Sequence, residues 1–176
     1  MRIHAALIAL LALTIAPHAS ADTVPGSSLQ LEIVSRQWMT FTIDVTNRSD
    51  NPSAFDSTGL YFVPDSTSDS PPQRLGVATP PELAGTQVEV ASPVTLPPHS
   101  TLHLVVPAYC LDQHRAGPQA NTTYHVAGMR MPAVLSSAIA SAVQNVHAPR
   151  GTDAHDAIQS AVWSVRETTP VVLIGQ

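Results

Sequence analysis

The chain has 176 residues, 44 % of them apolar and 12 % charged, with a formal net charge of −5. Its eight basic residues are all arginine, scattered without a run or patch, which argues against a nucleic-acid partner. No Gly-rich phosphate loop or dinucleotide fingerprint occurs, and the length suits one domain with a real core.

The opening "MRIHAALIALLALTIAPHASA" has the form of an export signal. Arg2 supplies a positive start, Ala5 to Ala16 an apolar run, and Ala19-Ser20-Ala21 the small residues of a cleavage site. The run is shorter than the roughly 20 apolar residues of a membrane span. Cleavage after Ala21 leaves residues 22–176 as a single secreted or periplasmic domain. No cysteine near the cut suggests a lipid anchor, and no later segment suggests a membrane partner.

The first half reads as β-structure. "SLQLEIVS" places Leu29, Leu31 and Ile33 on one face, and "WMTFTIDVT" alternates Met39, Phe41, Ile43 and Val45 with polar residues. The turn residues of "NRSDNPS" end that run. "GLYFVP" is a further short strand, followed by the polar loop "DSTSDSPPQ". "TQVEVA", "SPVTLPP" and "STLHLVVPAYC" come next, the last with Leu102, Leu104 and Val106 on one side, and "TTYHVAGM" adds one more strand. Sixteen prolines fit short strands joined by turns.

The periodicity then changes. "PAVLSSAIASAVQNVH" carries Val134, Leu135, Ala138, Ile139, Ala142, Val143 and Val146 at helical spacing, with Pro132 at its start. "GTDAHDAIQSAVWSVRE" predicts a second helix, capped by Thr152 or Asp153, with Ile158, Ala161, Val162 and Val165 on its apolar face. Pro170 stops it, and "VVLI" reads as a closing strand. The expected fold is β-rich (α+β): an antiparallel β-sandwich-like domain carrying two helices in its C-terminal half.

Two residues stand out chemically. Cys110 is the single cysteine, so in an oxidising compartment it has no internal disulfide partner. Gln159 borders the apolar face of the second helix, one turn before Trp163, where its amide needs partners. Read alone, each has a plain structural reading: a small buried thiol, and a glutamine that hydrogen-bonds backbone or water.

Together, "YCLD" and "IQSAVW" resemble the two signatures of bacterial thioester domains of surface adhesins. The segment "CLDQHRAGPQANTTY" is also similar to a pattern in uncharacterised secreted bacterial proteins, here Cys110, Leu111, Asp112, Arg115, Pro118 and Tyr124. The resemblance covers two short pieces within about residues 108–166. It implies a thioester between the Cys110 thiol and the Gln159 side-chain carbonyl, with Trp163 packed on the bond, Tyr109 flanking it and Asp112 in support. The implied activity is single-use acylation of an amine or hydroxyl on a protein or surface, without cofactor. Familiar adhesin domains are larger and carry wall anchors, which "TTPVVLIGQ" is not. The absence of lysine fits a reactive acyl group that has no amine side chain of its own chain to attack.

Two other readings stay open: a non-covalent extracellular β-sandwich module, and a cysteine hydrolase with His103, His114 or His125 as base. The remaining histidines past the signal, His99, His147 and His155, show no zinc spacing, so no metal is expected. Asp112 and Arg115 read as a solvated pair, and Asn47 and Asn121 head glycosylation sequons in form.

Overall fold

A computed structural model describes residues 22–146 and 152–173. In chain order the strands are β1 (Asp22–Thr23), β2 (Gln30–Gln37), β3 (Thr40–Asn47), β4 (Ser53–Phe55) and β5 (Tyr61–Pro64). They continue with β6 (Leu75–Val77), β7 (Glu82–Leu83), β8 (Val94–Leu96), β9 (Ser100–Cys110) and β10 (Tyr124–Val126). The helices α1 (Ala133–Gln144) and α2 (Thr152–Thr168) follow. The fold is therefore the expected β-rich domain with two C-terminal helices.

The main sheet is antiparallel throughout, in the order β1-β2-β3-β9-β6-β5-β10, with β7 also on β9. Its ends approach one another, since Val126 N donates to Asp22 Oδ2 at 2.8 Å. The sheet thus curls towards a barrel, while β4 and β8 form a separate pair. In β3, the alternating residues Phe41, Ile43 and Val45 are fully buried and meet Leu104 and Val106 of β9 inside the curl. Phe62 of β5 stacks on Phe41 with ring centroids 3.9 Å apart.

A second apolar cluster lies on the outer face of β5 and the end of β9. Tyr61, Val63, Tyr109 and Leu111 are covered there by Leu135 and Ile139 of α1 and Val162 of α2. Strand β5 and the tip of β9 are consequently buried on both faces, which erases period-2 patterning in their sequences.

Several sequence expectations need correction. Val171–Leu173 of "VVLI" is not a strand: the carbonyls of Val171 and Leu173 accept from Arg166 and Arg74 side chains instead of a ladder. "TQVEVA" supplies only a bridge, Glu82 with Glu89, and leaves Val88 exposed. Val134 is exposed, while Leu135 and Ile139 are buried and Val143 packs part-buried beside them, so the apolar face of α1 lacks only that first predicted position among its large side chains. Asn47 is buried, its Nδ2 donating to the carbonyls of Asn51, Leu96 and Pro97, so this sequon has no accessible amide. The signal segment, the side chain of Thr152 and Ile174 of "VVLI" lie outside the described residues.

Candidate functional site

Strand β9 positions the cysteine. Residues 100–107 pair with β3 on one edge, and residues 108–110 pair with β6 on the other. Beyond Pro107 the β3 edge is vacated except for one bond, Ala108 N to Met39 O at 2.8 Å. Backbone polar groups alternate between edges along a strand. Leu111 N donates to Arg74 O on the β6 side, so the N–H and C=O of Cys110 face the vacated edge.

Gln159 fills that edge. Cys110 N donates to Gln159 Oε1 at 2.8 Å, and Gln159 Nε2 donates to Cys110 O at 2.9 Å. The primary amide imitates one residue of a neighbouring strand. All four groups are buried, and each left unpaired would cost about 1–3 kcal/mol. The two segments identified from sequence thus meet in space, 49 positions apart in the chain.

The thiol itself lies in the inner core. Cys110 Sγ contacts Met39 Sδ at 4.0 Å, and Trp163 packs part-buried against the same cluster. Burial, reinforced by the charge of Asp112, pushes the Cys110 thiol up to about 11. Tyr109 points to the opposite face, into the cluster beneath the helices, and stacks on His155 at 5.0 Å. Trp38, exposed in the β2–β3 turn, closes on the same imidazole at 4.8 Å. Tyr109 and Trp163 thus pack in different places, Tyr109 in the outer cluster and Trp163 against the inner cluster that also holds Cys110.

Asp112 is not a solvated surface residue paired chiefly with Arg115, as the sequence suggested. Only 9 % of its side chain is exposed, and its principal partner is Arg74. Arg74 Nε donates to Oδ2 at 2.8 Å and Nη2 to Oδ1 at 2.5 Å, while Arg74 N also donates to Oδ2. Arg166 and Arg115 stand farther off, at 3.9 and 4.0 Å. Burial raises the Asp112 carboxyl, but the hydrogen bonds from Arg74 and the charges of Arg74 and Arg115 outweigh it, and the net shift is downward. The loop after Cys110 is thereby clamped to β6 and α2.

The histidines considered as bases are engaged elsewhere or exposed. His103 pairs with Asp44 at 2.7 Å and His125 with Asp65 at 2.6 Å, both in exposed pairs, and His114 is exposed. Among the described residues no imidazole hydrogen-bonds Cys110, and no group of three His, Cys, Asp or Glu side chains converges as a metal site. His147 lies outside the described residues.

Sequence reading missed Arg74, Arg166, Met39 and the Trp38–His155–Tyr109 stack. Arg74 sits in "PPQRLGV" without a motif, and its role depends on the β6–β9 register. Arg166 carried a faint signal as a basic residue in the last turn of a helix. Compared with protein-family models, curated proteins and solved structures, the chain matches none.

Proposed function

We propose that the chain is an exported domain that acylates a nucleophile on a partner through an internal thioester between Cys110 and Gln159. The observation that supports this best is the paired hydrogen bonding that seats the Gln159 amide on the Cys110 backbone. It puts an acyl carbon beside the residue that carries the thiol. In the forming step, sulfur adds to the amide carbon, the carbon–nitrogen bond breaks, and the thiol proton leaves with the nitrogen as ammonia. In the transfer step, an amine or hydroxyl of the partner adds to the same carbon and the thiol returns to Cys110.

The surroundings suit a bond that must survive in water. Cys110 and Gln159 are buried, and Trp163 packs against the apolar cluster that holds Cys110. A cross-link here would also close a loop of about 50 residues, worth a few kcal/mol in the chain-entropy account. A hydrolase has less support, because a buried thiol held near 11 with no imidazole bonded to it among the described residues is a poor nucleophile for turnover.

The same hydrogen bonds favour a second reading, in which Gln159 is only a latch that completes the β9 edge of a non-covalent binding or structural module. Intact mass measurement of the mature protein beside Cys110→Ala separates the two. A mass short by one ammonia, restored in the variant and converted to an adduct by methylamine, supports the thioester. A full mass, with a thiol that alkylates once the chain is unfolded, leaves the latch.

A further inference from the structure

We propose that the two-residue turn Trp38–Met39 is a gate, and that a reagent or a partner's nucleophile reaches Cys110 when this turn swings off α2. The turn joins β2 to β3 and covers the thiol from one side. Cys110 and Gln159 are both buried, so chemistry at either one requires an opening. As a route for a nucleophile the gate rests on the thioester reading; as a route to a thiol it does not.

The other walls around Cys110 are well bonded. Leu75 of β6 pairs with it in the ladder, Gln159 holds its backbone with two hydrogen bonds, and the Arg74–Asp112 clamp fixes the loop that follows. The turn is held differently. Trp38 adopts φ +54°, a left-handed conformation unfavourable for a bulky residue. Its exposed indole meets α2 through a tilted contact with the His155 ring, centroids 4.8 Å apart. Both nitrogens of that ring are buried with no hydrogen-bond partner among the described residues, and Asp156 Oδ1 stands 3.6 Å from Nδ1. Buried polar groups left unpaired oppose the packed state.

Opening relieves these features together. Trp38 leaves its left-handed φ, and both imidazole nitrogens reach water. The losses are one aromatic contact and the bond from Ala108 N to Met39 O, which water replaces. Arg36 bridges Trp38 O to Gln119 O and marks the hinge. Segments with such a balance are those that open locally in a folded protein. Met39 follows Trp38 directly and its Sδ lies 4.0 Å from Cys110 Sγ, so lifting the turn uncovers the sulfur. His155 precedes Gln159 by one turn of α2, so the gap forms beside the candidate acyl group as well.

The test is the rate at which iodoacetamide alkylates Cys110 in the folded mature protein, read by intact mass. Where a thioester is present, the rate of methylamine adduct formation takes its place. Trp38→Ala keeps the unfavourable φ and removes the ring; it should speed the reaction roughly two- to tenfold, the population shift for one aromatic pair. Trp38→Gly tolerates that φ and should react more slowly than Trp38→Ala. His155→Phe keeps the ring contacts with Trp38 and Tyr109 but has no nitrogens to strand, and should react more slowly than the parent. Every rate should stay nearly flat at low urea, because a local opening exposes little surface. Circular dichroism checks that each variant is folded, and His155→Phe decides alone if the Trp38 variants are not. Rates unchanged by these substitutions, or rates that climb with urea in step with global unfolding, would overturn the gate. A full-mass protein whose alkylation rates follow the expected order keeps the gate and removes only its use by a nucleophile.

Discussion

Cys110 Sγ rests 4.0 Å from Met39 Sδ, so the thiol's neighbour is a thioether and not a base. Both side chains belong to the core inside the curled sheet. A thioether neither withdraws the proton nor stabilises the thiolate by charge, and burial then sets the acidity.

The pH dependence of stability follows with a definite sign. Burial, with the Asp112 charge, raises the folded thiol from an ordinary 9.0 to about 11. Between those values the unfolded chain releases the proton and the folded one keeps it, so stability falls as pH rises from about 9 to 11. The loss is about 2–3 kcal/mol for a shift of this size. Urea titrations of the protein and Cys110→Ala across that range isolate it from Tyr124, also raised by burial, to about 12. The difference should be present where the thiol is free and absent where it is bound as a thioester.

Removing the Gln159 amide should be costly in either chemical state. In Gln159→Leu the N–H and C=O of Cys110 face a vacated strand edge with no partner. The expected destabilisation is about 2–4 kcal/mol, the order for two unpaired buried groups. Chemical denaturation measures it, and backbone hydrogen exchange at Cys110 should accelerate in parallel. Gln159→Glu keeps the shape and one acceptor, but its mass should show no loss of ammonia.

Asp112→Asn should destabilise more than a surface charge change. It leaves the guanidinium of Arg74, a residue only 7 % exposed, without its anionic partner. Breaking a buried pair from one side costs about 3–5 kcal/mol. In the parent protein the stabilisation is complete above the ordinary carboxylate range, near 3.8, and is lost as pH falls through the lower folded value. Acid titration followed by circular dichroism should show the variant losing that acid-sensitive component.

Gly76→Ala should disturb the same corner by crowding. A Cβ there would lie 2.8 Å from Leu111 Cδ2, and Leu111 is itself buried. Overpacking of this kind costs about 1–3 kcal/mol. A lowered thermal midpoint, together with faster alkylation of Cys110, would show that the Leu111 corner controls access to the thiol.

How far the sequence reveals this architecture depends on which faces are covered. β3 and the first part of β9 were legible because Phe41, Ile43, Val45, Leu104 and Val106 face one core while their neighbours stay partly wet. β6 was not, since Leu75, Gly76 and Val77 are buried together and three residues show no period. β1 and β4 are too short for any pattern. In α1 the spacing overcounted, because periodicity cannot say that nothing lies over Val134. At the site, Cys110 and Gln159 were found by motif, and their meeting is a fact of tertiary structure. The Arg74 clamp, made across 38 positions, left no local trace.

The latch on β9 has a consequence for the order in which the molecule is assembled. The backbone at Cys110 gains its second edge only from Gln159, deep in the last helix. A chain emerging N-terminus first can lay down the β2–β3–β9 ladder early, yet that ladder keeps an open edge until α2 has been made. The final locking step of that ladder thus waits for a helix that lies 49 positions further along the chain. Closure is postponed by topology, with the key carried at the tail end.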